Sequence, residues 1–133
     1  MIKTDYIERL TQEIAAFVAL LIGKKTKEAL NIIDDAYVHW LKVTRQELLN
    51  LDKDQLFELL LEEKKMQPYQ LELLAEIMAE EGFIYVKEKE SLKAKHTLTK
   101  ALQLFEFIDQ AQELYAISRQ AKMQQIKNHL SVL

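Results

Sequence analysis

The sequence contains no cysteine, a single proline and only two glycines in 133 residues. Without cysteine there can be no disulfide, no thiolate nucleophile and no cysteine-based zinc site. So few glycines and prolines cannot supply the tight turns of a β-rich fold. Gly23 and Gly82 also stand outside any glycine-rich run that could cradle a phosphate. The three histidines, His39, His96 and His129, lie far apart, and none falls in a Glu-x-x-His or His-Glu-x-x-His pattern. Asp35 and His39, four apart on one helix, suit a surface hydrogen bond. The carboxylate pairs Asp34-Asp35, Glu62-Glu63 and Glu80-Glu81 point about 100° apart on a helix, so they do not converge on a reacting atom and read as solvated faces. Ser91, Ser118 and Ser131 lack a nucleophile motif. No enzyme activity, metal or cofactor is implied.

What is present is helical. Apolar residues make up 49% and charged residues 29%, with Ala, Leu, Glu, Lys and Gln dominant, which predicts one all-α domain over residues 1–133. A chain of this length buries roughly two thirds of its unfolded surface, enough for a core without staples. The net charge of −3 is unevenly spread: residues 46–81 carry −7 and residues 82–133 carry +3. That split predicts faces that complement one another within the fold or between subunits. The cluster Lys87, Lys89, Lys93, Lys95 and His96 is diluted by Glu88 and Glu90 and reads as a solvated turn, so no nucleic-acid partner is expected.

Along the chain, residues 1–43 predict a helix hairpin. Its first helix, 1–22, carries Tyr6, Leu10, Ile14, Phe17 and Leu21 on one stripe. The run Ile14 to Ile22 is uncharged, but Asp5, Glu8 and Glu13 sit where a basic leader belongs, and the run is too short to span a bilayer, so no membrane partner is expected. Gly23 turns the chain into a second helix from Thr26 to Val43 with Ala29, Ile33, Ala36, Tyr37 and Trp40 inward. Residues 44–66 form a linker segment opened by two capping boxes, Thr44-x-x-Glu47 and Asp52-x-x-Gln55, the second starting a helix that runs to about Lys64. Residues 67–108 predict a second hairpin: Pro68 starts its first helix, Lys87 to Glu90 make the turn, and Ser91 caps the next helix. Residues 109–133 hold a terminal helix with a thin stripe of Leu114, Ile117 and Ala121. The count is five long helices and one short one.

In the second hairpin Gly82, Tyr85, Ala94, Leu98 and Ala101 recur at fixed offsets, so that small residues let two antiparallel helices approach while Tyr85, Leu98 and Phe105 fill the space around the contact. The 34-residue window Ala75 to Ile108 resembles a tetratricopeptide repeat, with Gly-x-x-Tyr at Gly82 and Tyr85 and Ala-x-x-x-Leu-x-x-Ala at Ala94, Leu98 and Ala101. Met78, Glu81 and Glu106 depart from that family, which prefers Trp, Leu and Pro there. A shift of 65 residues lays Ala29, Ile33, Ala36, Trp40 and Val43 on Ala94, Leu98, Ala101, Phe105 and Ile108, a degenerate internal repeat. The opening Asp5-Tyr6-Ile7 also resembles that of small bacterial repeat-like proteins of unassigned activity. These resemblances imply a stack of helix hairpins, an abbreviated repeat solenoid in a cytoplasmic setting, working as a non-catalytic protein-interaction module.

In such a stack the groove face is expected to present Glu76, Ala79, Glu80, Phe83, Val86 and Lys87. With two glutamates there and Lys87 the one base, acidic tails are disfavoured and an apolar or basic protein or peptide segment is the expected partner. Phe83 could equally belong to the core. The uncharged run of the first helix predicts homo-oligomers joined through Val18 and Ile22. A second reading stays open: a sensor domain enclosing a small apolar ligand among Phe17, Tyr37, Trp40 and Tyr85.

Overall fold

The computed structural model describes the backbone of residues 2–111 and 117–133, and the side chains of 8–111 and 119–133. Among these residues every regular element is helical. Helix α1 spans Ile2–Leu21, α2 Thr26–Leu41, α3 Arg45–Leu49 and α4 Lys53–Phe57, continued as a π-helix over Glu58–Glu63. Helix α5 spans Pro68–Lys87, α6 Ser91–Ala111 and α7 Ile117–Leu130. Seven α-helices among the described residues replace the count of six, and the helix expected from Asp52 to about Lys64 is α-helical only over Lys53–Phe57 and π-helical beyond. Both predicted capping boxes form: Thr44 Oγ1 accepts from Glu47 N at 3.0 Å and Asp52 Oδ1 from Gln55 N at 2.8 Å. Two caps so close together force a change of direction within a few residues.

Helix α5 is the hub. Residues Leu71 to Ala79 are all buried, including Glu72 and Glu76, and α1, α2, α6 and α7 each pack against this helix. These turns are enclosed on every side, so α5 lies inside the bundle with its buried glutamates met by polar partners. Gly82 sets the spacing to α6, since a Cβ built on it would come within 2.4 Å of Leu98 Cδ2. All five positions of the degenerate repeat face inward on both copies, except that Trp40 is half-buried where Phe105 is fully buried.

Several helix ends differ from expectation. Helix α2 stops at Leu41, where Lys42 turns left-handed at φ 57° and Val43 N donates back to Tyr37 O. Lys65 and Lys89 end their helices the same way at φ 50° and 59°, with Met66 N donating to Leu60 O and Glu90 N to Tyr85 O. Glycine is the usual residue at such ends, so lysine conceals them. Helix α6 begins at Ser91 itself and runs through Asp109 to Ala111, while the terminal helix starts at Ile117. Leu114 and the side chains of Tyr6 and Ile117 lie outside the described residues. The stripe of α7 is Met123 and Ile126, with Ala121 exposed. No described helix is long and apolar enough to cross a membrane.

Candidate functional site

Glu72, Glu76 and Glu80 recur every four residues on α5 and so form one row along the helix. Helix α7 lies against that row and meets it with cations. Arg119, itself buried, reaches Glu72 through Nε and Nη2 at 3.0–3.2 Å and Asp109 of α6 at 2.5 Å. Lys122, one turn on, lies 3.0 Å from Glu80 Oε2 and 3.2 Å from Glu76 Oε2. Its ammonium also sits 5.6 Å from the centre of the Phe83 ring, and that ring packs on His129 at 5.2 Å. Helix α7 carries three cations and no acid over Ile117–Leu130, and its inward side mixes Arg119 and Lys122 with the buried Met123 and Ile126, so it is a basic helix with two apolar anchors.

Four of the six residues expected to line an open groove are thereby accounted for. Glu76 and Ala79 are buried, and Glu80 and Phe83 are half-buried in contact with α7. Val86 is half-buried and Lys87 exposed. The groove face is covered by the chain's own last helix, because residues 82–133 hold the positive half of the charge split. Burial raises the Glu76 carboxyl to about 7, against the pull of the Lys122 charge and with help from the charges of Glu80 and Glu72.

No protein-family model, curated protein or solved structure matches this chain. Its site is read from geometry.

A second polar cluster, on the opposite flank of the hub, escapes sequence reading. Glu81 is buried, not solvated, and accepts from Tyr37 Oη at 2.5 Å and Tyr85 Oη at 2.7 Å. Burial raises the Glu81 pKa, partly offset by these two donors. Burial and the adjacent Glu81 charge push Tyr85 up to about 12, so both phenols stay protonated and donating near neutral pH. Arg45 Nη1 then donates to Tyr85 Oη at 3.4 Å, and its Nε and Nη2 hold Asp34 at 2.9 and 3.1 Å. Asp34 is therefore half-buried and ion-paired, also against expectation. Lys100 of α6 is buried and donates to the carbonyls of Leu48 and Leu49 at 2.5 and 3.0 Å, closing the C-terminal end of α3. The cluster ties α2, α3, α5 and α6 together, and the Glu81 carboxylate is matched by hydrogen bonds on both oxygens, as a structural group requires.

The residues expected to enclose an apolar ligand do not converge on one chamber. Phe17 packs edge-on to Trp40 with centroids 5.8 Å apart, Tyr37 is taken by Glu81, and Tyr85 borders an open cleft with Arg45 and Lys93. Among the described residues no group of three or more His, Asp or Glu side chains could hold a metal ion. The turn cluster Lys87, Lys89, Lys93 and Lys95 is exposed and spans the end of α5 and the start of α6.

Proposed function

We propose that this protein is a non-catalytic protein-interaction module that receives a basic helix with a few apolar anchors on the glutamate face of α5. The observation that carries this reading is the occupant present in the fold: α7, held by Arg119 and Lys122 on Glu72, Glu76 and Glu80, with Phe83 beneath His129. It has the chemistry the sequence assigns to the partner, apolar and basic. A partner helix of the same pattern would compete with α7 for the face, so affinity is set by the difference between the two. The antiparallel α5–α6 hairpin, closed by Gly82 against Leu98, supports the further likeness to an abbreviated tetratricopeptide-repeat stack.

The test uses the full chain and a fluorescent peptide of residues 117–133 as the probe. Wild type is expected to capture the peptide weakly. Lys122→Glu, which loosens the resident helix, is expected to strengthen capture several-fold, and Glu80→Lys to remove it in either background. Circular dichroism checks that the helices persist. Unchanged capture in Glu80→Lys would refute the assignment of this face.

A further inference from the structure

The start of α6 and the linker helices border a cleft outside the α7 contact, which meets the Glu81 cluster only at Lys100. It measures about 360 Å³ and is bordered by Leu51, Lys53, Leu92, Lys95, His96 and Lys100. Leu92 is 81% exposed, a large apolar side chain left in water on the cleft rim. Lys53 and Lys95 form no ion pair among the described residues. Lys100 places a buried cation at the base, with two of its three donors held by the α3 carbonyls. The one acid on the rim, Asp52, is engaged as the cap of α4. A neighbouring cleft shares Leu92, His96 and Lys100 and extends the surface to the half-exposed Leu49, with Glu81 and the ion-paired Arg45 and Lys93 also on its border.

Lys53 and Lys95, free of ion pairs among the described residues and beside the exposed Leu92, complement an anion that is itself part apolar. A phosphate backbone would leave the exposed Leu92 unmatched. We propose that this cleft is a second docking site, for a short acidic amphipathic protein segment whose carboxylates meet Lys53 and Lys95 while an apolar side chain covers Leu92. This site is independent of the α5 face and takes a partner of opposite charge.

The probe is a fluorescein-labelled twelve-residue peptide of alternating Glu and Leu, titrated with the full chain by anisotropy. Saturable binding that weakens at high salt is expected. Lys95→Glu and Leu92→Ser, both at exposed positions, are each expected to weaken it by about tenfold, and Lys53→Gln by a smaller factor. Lys127→Glu on the exposed side of α7 is the control and is expected to leave binding unchanged. The proposal is overturned if the peptide does not bind, if poly-glutamate or single-stranded RNA binds as tightly, or if Leu92→Ser has no effect.

Discussion

Gly82 sits mid-helix, where glycine costs about 1 kcal/mol of propensity relative to alanine. Its compensation is the approach of Leu98, whose Cγ and Cδ2 would lie 2.6 and 2.4 Å from an added Cβ. Leu98 is fully buried and cannot step aside without disturbing its neighbours. Gly82→Ala is therefore expected to destabilise the fold by about 1–3 kcal/mol despite its better propensity, as measured by urea unfolding. A stabilised variant would contradict the close-approach account. This residue was legible because a lone glycine inside a strong helix pattern demands a packing reason. Glu81 was not, because its burial depends on Tyr37, 44 residues away, and helical periodicity carries no information about such a partner. Nor were the left-handed lysines 42, 65 and 89, which adopt glycine's conformation without its sequence signal.

Helix α5 combines near-complete burial with a row of acids, of which Glu76 is buried and shares Lys122 with Glu80. The folded-state pKa of about 7 lies above the unfolded value near 4.5, so between these limits the native state binds more protons. The contribution of Glu76 to stability is thus complete below pH 4.5 and is lost as pH rises through 7, by about 3 kcal/mol at most. Glu76→Gln is expected to match wild type near pH 4.5 and to be the more stable protein at pH 8, with Lys122 still held by Glu80. Equal differences at both pH values in urea unfolding would sink this assignment. The two capping boxes and the α5–α6 hairpin could be read from spacing alone. The π-helical turn of Glu58–Glu63 could not, since its Lys64 N to Leu59 O bond leaves no residue signature. The placement of α7 had one available signal, the glutamates every fourth residue on α5 opposite Arg119 and Lys122, but two complementary faces need not meet in the same chain.

For the whole molecule the uncharged run of α1 remains only partly covered. Phe17 is buried and Val18 half-buried against the core, whereas Leu20 is 55% and Ile22 75% exposed. Self-association is accordingly expected to rest on Leu20 and Ile22, with Val18 serving the core. Light scattering at increasing concentration should detect dimers that Ile22→Lys abolishes without a change in unfolding midpoint, and a strict monomer at high micromolar concentration would count against it. A different consequence follows from the position of α5 at the hub. During synthesis α1 and α2 are made well before it, yet each reaches its main packing surface only once residues 68–87 exist. At about 5–20 residues per second this leaves the inward faces of Phe17, Ile33 and Tyr37 waiting several seconds for their cover. The nascent N-terminal half is therefore the stage at which this chain leaves its core faces without their main cover.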